Sequence, residues 1–241
     1  MLNQQSFRSL ILSLSLLQLA CMYFAFPAQA QKESDPPITI NSQIQHATSG
    51  GSLTQLINMG QILSGKGDFV EAEKCFKAAL EMIESQPVKS RDLLHKAYCL
   101  NNLALLYMNQ GQLADAETYF KQVVEVSGQI DLSKDPILGI ALDNLGQTYR
   151  FQKRFDEAEK SYRQALAAEE ASVGKANSDY AITQVNLAVL YITEKKFGDA
   201  KTLLNEALKT FEITSGKESA SYQQTSKYLE VAEKAASANS E

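Results

Sequence analysis

The sequence predicts an all-α solenoid of four antiparallel helix pairs closed by a C-terminal capping helix. Three observations predict it. Four blocks of the chain repeat one pattern of large and small residues. Each block carries two apolar stripes at helical spacing with a short polar turn between them. Each block also has alanine or glycine at two fixed positions where a soluble helix would normally bury something large.

The elements follow in chain order. Residues 10–26, LILSLSLLQLACMYFAF, are almost wholly apolar; Arg8 precedes them and PAQA follows at 27–30. A basic start, an apolar run and a small-x-small end predict a signal peptide over residues 1–30, cleaved after Ala30. The run is nearly long enough to span a bilayer, so an uncleaved anchor through residues 10–26 is the alternative. A lipoprotein signal at Cys21 is disfavoured, because Leu19 stands where a small residue is wanted. Residues 31–51 hold paired prolines and paired glycines without an apolar period, and read as a disordered tether.

The repeats occupy residues 52–236. NMGQILSGKGDFVEAEKCFKAAL starts at Asn58 and NLALLYMNQGQLADAETYFKQVV at Asn102. NLGQTYRFQKRFDEAEKSYRQAL starts at Asn144 and NLAVLYITEKKFGDAKTLLNEAL at Asn186, giving spacings of 44, 42 and 42. Down the columns stand Gly60, Ala104, Gly146 and Ala188, then Leu63, Tyr107, Tyr149 and Tyr191. Ala72, Ala116, Ala158 and Ala200 follow without exception, then Phe76, Phe120, Tyr162 and Leu204, and Ala79, Val123, Ala165 and Ala207. Each half of a block follows i, i+3, i+4, i+7 spacing, one apolar stripe on a helix. SGKG, NQGQ, FQKR and TEKK separate the halves. Glu71, Asp115, Asp156 and Asp199 open the second helices, where the positive end of the helix favours a carboxylate. Small residues let two helices approach closely, so the Gly/Ala of the first helix is expected to meet the Ala of the second. After Gly216 the register continues, with Leu229 lying 42 after Leu187, but no second helix follows: this is the capping helix, and residues 237–241 read as a disordered tail.

These columns resemble the tetratricopeptide repeat. Leucines at 56, 100 and 142, and Gln184, stand where the family has tryptophan; Gly128, Gly174 and Gly216, near helix ends, are C-cap candidates in place of its closing proline. The period of about 42 exceeds the family's usual 34, and eight more residues add roughly 12 Å of helix. That length, with Asn-Leu-Ala and the Val-Gly-Lys and Ser-Gly-Lys junctions, looks like the kinesin-light-chain type. The resemblance implies a right-handed superhelix whose first helices line a concave groove that holds protein segments.

Chemistry is sparse. His46 lies in the tether and His95 in a helix; HExxH, CxxC and GxSxG are missing from the sequence. Gly60-x4-Gly65-Lys66-Gly67 nearly spells a phosphate loop, but Gly67 replaces the Ser/Thr that would hold the metal, and a helix rather than a strand precedes it. Glu157–Glu159 and Glu169–Glu170 read as solvated helix surface. No enzyme, cofactor or metal is expected. A net charge of −5, or −5 − 1 = −6 without residues 1–30, gives no reason to expect nucleic acid. Cys75 and Cys99 are expected to be free thiols even after export.

Asparagine recurs instead. Asn58, Asn102, Asn144 and Asn186 start every block, one position before a core residue. The resemblance places this column on the groove with Gln61, Tyr98, Leu105, Gln147, Arg150 and Val189. An amide offers two donors and an acceptor to an extended backbone, and the mixed lining suits an apolar, extended protein or peptide segment. The expected function is an exported protein-binding adaptor in a periplasm or secreted, with no membrane contact beyond the signal. The rival is an envelope assembly factor that works as a homo-oligomer through its repeat ends.

N-terminal sequencing of native material checks the export reading. A start at Gln31 is expected; Met1 retained in a membrane fraction overturns it.

Overall fold

The computed structural model describes residues 52–85, 90–131 and 135–238. The expected signal peptide and tether at 1–51 and the last three residues lie outside them. Among the described residues the chain is wholly helical: α1 (Leu53–Lys66), α2 (Phe69–Glu84), α3 (Ser90–Asn109), α4 (Leu113–Ser127), α5 (Ile137–Phe151), α6 (Phe155–Ser172), α7 (Ser178–Thr193), α8 (Phe197–Thr214) and α9 (Ala220–Ala238). The chain divides into two compact units, residues 1–82 and 83–241. The first carries α1 and most of α2. In the second, α3 pairs with α4, α5 with α6 and α7 with α8, consecutive pairs touch, and α9 packs on α8. The expected capping helix is present, and it runs to Ala238, two residues into the stretch expected to be a tail.

The column of small residues works somewhat differently from the sequence expectation. Ala72, Ala116, Ala158 and Ala200 are fully buried, as are the large residues four positions on, Phe76, Phe120, Tyr162 and Leu204. It is the ring, however, that comes up against the facing helix. A Cβ at Gly60 would stand 2.6 Å from Phe76 Cε1, and one at Gly146 would stand 2.8 Å from Tyr162 Cδ1. The glycine receives the ring. Where the facing residue is Phe120 or Leu204, alanine suffices, at Ala104 and Ala188. Burying each such side chain contributes about 1.5–3 kcal/mol.

The turns share one backbone device. Nine residues after each column asparagine the chain takes the left-handed conformation: Gly67 at φ 85°, Gly111 at 75°, Lys153 at 63° and Lys195 at 64°. The amide five residues beyond Leu63, Tyr107, Tyr149 or Tyr191 closes back on the preceding helix, as when Arg154 N donates to Tyr149 O at 2.9 Å and Lys196 N to Tyr191 O at 2.8 Å. Two of the four turns therefore carry lysine where glycine is unstrained. The near-phosphate-loop stretch is part of this device: Gly60 is buried in α1, Lys66 ends that helix, and Gly67 caps it. Gly174 and Gly216 are left-handed and donate to Glu169 O and Phe211 O, as expected of C-caps. Gly128 is not; its φ of −70° continues helical geometry into the α4–α5 connection.

A polar ladder joins successive pairs of the second unit. Arg154, at the start of α6, reaches Glu117 on α4 at 2.6 Å and also pairs with Glu157. One repeat later Lys196 reaches Glu159 at 3.4 Å, and Tyr191 OH donates to the same carboxylate at 2.9 Å. Arg154 lies 4.3 Å over the Tyr149 ring and Lys196 5.3 Å over Tyr191. The repeat tyrosine thus seats a cation that clips the next pair in place. Glu157 and Glu159 are accordingly ion-pair members, not a merely solvated face.

Cys75 and Cys99 are both buried and free. Burial, aided by Glu71, raises the Cys75 thiol to about 11, and burial alone raises Cys99 to about 12, so neither is a ready nucleophile.

Two substitutions test this description by urea unfolding. Lys153→Gly should raise stability by about 1 kcal/mol, because it removes left-handed strain at a residue whose side chain is exposed. Gly146→Ala should cost about 1–3 kcal/mol, because Tyr162 cannot withdraw from a filled pair.

Candidate functional site

The candidate site is the row of first helices in the second unit. α3 touches α5, α5 touches α7, and α7 touches α9, so these helices form one layer with the second helices behind them. Most of the unit's buried polar residues belong to this layer: Asn101, Asp143, Asn144, Gln147, Thr148, Thr183, Gln184, Asn186 and Thr225. Buried polar groups need partners, so such a row demands a hydrogen-bond account.

The sequence-predicted residues divide into three sets. Asn58 and Gln61 are exposed on α1, in the first unit. On α3, Tyr98, Asn102 and Leu105 fall on one half-exposed stripe at i, i+4, i+7. Tyr98 OH donates to Asp135 Oδ1 at 3.1 Å, and the same oxygen accepts from Ile137 N, so the tyrosine is tied to the start of α5. Burial, then Asp135, raises the Tyr98 phenol to about 12. The third set differs from expectation. Asn144 is 5% exposed, Gln147 5%, Asn186 4% and Val189 9%. The asparagine column lies beside the core at Asn58 and Asn102 but inside it at Asn144 and Asn186. Arg150, half-exposed at the end of α5, stacks 4.7 Å over the Phe151 ring.

The reason for that burial is a residue the sequence reading passed over. Asp143 is a buried carboxylate on α5. Asn186 Nδ2 on α7 donates to both its oxygens at 2.9 and 3.0 Å, and Gln147 Nε2 donates to it at 2.9 Å. Desolvation raises the Asp143 carboxyl to about 6 against the pull of these donors and of Arg150. Asn186 therefore holds two repeats together across a charge. Gln184, in the family's tryptophan position, is buried and bonds Glu206 on α8 at 2.7 Å.

A second buried carboxyl stands close by. Glu169 on α6 is 1% exposed, not the solvated surface expected of it. Thr183 Oγ1 on α7 donates to its Oε1 at 2.9 Å. Gly139 on α5 makes room for it: a Cβ there would lie 2.4 Å from Glu169 Cγ. Burial, then the nearby Asp143 and Asp179, raises the Glu169 carboxyl to about 8. Asp143, Gly139 and Glu169 all fall outside the 23-residue blocks that define the repeat. Extending the columns would have exposed them, since Glu169 aligns with Ile83, Ser127 and Phe211, and Gly139 with Ala97 and Ala181.

Among the described residues no cluster of His, Cys, Asp and Glu is arranged to hold a metal ion, and no helix is long and apolar enough to cross a membrane.

With this architecture in view, the comparisons with known proteins agree. Tetratricopeptide-repeat families match residues 56–86, 93–171 and 144–218. The chain belongs to the tetratricopeptide-repeat family. Solved structures of similar fold include BtubC (BKLC) from P. vanneervenii, with a TM-score of 0.68 and 21% identity over 94% of this chain and 83% of that one. The putative kinesin light chain repeats of Podosopora anserina superpose at 0.62, with 19% identity over 80% of this chain and 88% of that one. The Cut9–Hcn1 assembly of APC/C matches at 0.60, with 18% identity over 80% of this chain and 32% of that one. At these identities the likeness is one of fold. None of the curated proteins matches in sequence. Repeats of this family typically form non-catalytic interaction or scaffold modules.

The column is testable residue by residue. Asn186→Ala should destabilise by about 1–3 kcal/mol in urea, because it strips the buried Asp143 of a donor. Asn102→Ala, on the half-exposed stripe, should cost well under 1 kcal/mol.

Proposed function

We propose that this chain is an exported protein-binding module whose row of first helices holds an extended segment of a partner protein. The observation that carries the reading is the half-exposed stripe Tyr98, Asn102 and Leu105 on α3, which flanks the buried polar row of α5 and α7. It offers amide donors and acceptors beside apolar contact, which suits an extended backbone with small or apolar side chains. Arg150 stands at the end of α5, and among the described residues α5 and α7 carry no other lysine or arginine with which to clamp a terminal carboxylate. The apolar run at 10–26 followed by PAQA supports export to a periplasm-like compartment, with residues 31–51 as the tether. The catalytically plain residue set supports a binding role without cofactor or metal.

Self-association through the repeat ends is the second reading. Ile213, 84% exposed at the end of α8, is the observation in its favour. Sedimentation velocity separates the two: a monomer at micromolar concentration removes self-association.

The groove reading is tested with dodecamer peptides selected from a random display library on residues 31–241. Asn102→Ala combined with Leu105→Ala should weaken the selected peptides at least tenfold, where about 1.4 kcal/mol is one decade. Lys160→Ala with Lys209→Ala, on exposed second-helix surface, should leave them unchanged. The reverse pattern would move the site to the outer face.

A further inference from the structure

Glu169 breaks the internal rule of its own chain. Its column holds Ile83, Ser127 and Phe211, all buried, and nothing else with a charge. The change is matched by its neighbour: Ala97 and Ala181 become Gly139 in this one repeat, and only glycine leaves space for the Glu169 side chain. A carboxyl and the cavity that fits it have been introduced together at the junction of α5, α6 and α7.

We propose that this junction is a proton-operated joint, which Glu169 locks while its carboxyl is neutral and loosens when the carboxyl ionises.

The surroundings favour the neutral form, with a single hydrogen bond pulling the other way. On α7, Thr183 donates one hydrogen bond to Oε1, Asp179 adds like charge, and Tyr180 lies within electrostatic range. On α5, Asp143 adds further like charge, and Arg150 spends its influence on Asp143 and Tyr162. On α6 itself, Glu170 is taken up by Lys175. Oε2 is buried and has no hydrogen-bond partner among the described residues. An ionised carboxylate here would have one donor, no cation and two acidic neighbours, an expensive arrangement in a low-dielectric site.

Thr183 lies between the two acids: it donates to Glu169 Oε1 and bears electrostatically on Asp143. Because Asp143 in turn holds Asn186, the joint and the floor of the polar row share the same two helices, α5 and α7. The inference does not depend on what the row binds.

The sign follows from the raised carboxyl. An unfolded glutamate ionises near 4.5, and folded Glu169 at about 8. The stability that Glu169 contributes is complete below the lower value and is lost as pH rises through the window to the upper one. Glu117, Glu157 and Glu159 are lowered instead and act oppositely at acid pH, so the readout must be a difference between variants.

The test compares the purified chain with Glu169→Gln, which copies the neutral acid. Urea midpoints should agree near pH 5 and separate steadily toward pH 8.5, with the glutamine variant the more stable. Hydrogen exchange, corrected for intrinsic rates, should show α7 of the parent losing at least tenfold protection between pH 6 and 8 while the variant keeps it. A gap that does not change with pH overturns the proposal. So does loss of protection spread evenly over α3–α9, which would make Glu169 a general stability site without a joint. Should the variant fail to fold, the 13C carboxyl resonance of Glu169 in the parent decides: a titration midpoint above 7 supports the joint, and one in the ordinary carboxylate range removes it.

Discussion

In two of the helix pairs a large aromatic side chain from the second helix lies against a glycine on the first. At Gly60 and Gly146 the fit leaves no room for even a methyl group. The rest of the second unit depends on that contact. It sets how near the two helices come, and so fixes where the turn must reverse the chain. The left-handed residue nine positions after each asparagine is the consequence, and two repeats accept lysine there despite its strain. A chain that keeps its ring-to-glycine contact can tolerate a poorer turn, because strain of about 1 kcal/mol is small beside what a buried ring contributes.

Contacts between pairs are of another kind. Within a pair the contact is mainly apolar; between pairs, polar contacts are added by Arg154 on Glu117, by Lys196 and Tyr191 on Glu159, and by Asn186 on Asp143. Polar contacts are directional, and they weaken or strengthen with charge state. A repeat array stabilised pair by pair thus places its adjustable interactions at the junctions. The α5–α6–α7 junction goes furthest, since it buries two carboxyls, Asp143 and Glu169, where other junctions bury Asn101, Val185, Ser127 or Phe211.

The same comparison explains what could be read in advance. The repeats, their turns and the capping helix were legible because packing in a helix pair is local and periodic: Ala72, Ala116, Ala158 and Ala200 recur at fixed offsets. The partner positions of the polar residues were not legible. Asn102 and Asn144 occupy equivalent places, yet the first is half-exposed and the second is buried. Nothing in a column tells how the neighbouring repeat will cover it. Gly128 and Gly174 likewise look alike beside a helix end, and the longer connection after α4 makes only the second a left-handed cap.

The sequence by itself determined the fold class, the count of helix pairs, the residues of the close contact and the lack of catalytic motifs. Each of these follows from spacing along one chain, where the helical period converts number into direction. Only the tertiary structure decided that the ring rather than the alanine meets the facing helix, that Asn186 serves Asp143, and that Glu169 is inside. Those facts rest on groups brought together from separate helices, 43 residues apart for Asn186 and Asp143 and 14 for Glu169 and Thr183. Whether a carboxylate meets water or a threonine hydroxyl is set by the neighbour's packing, which the spacing within one helix does not encode.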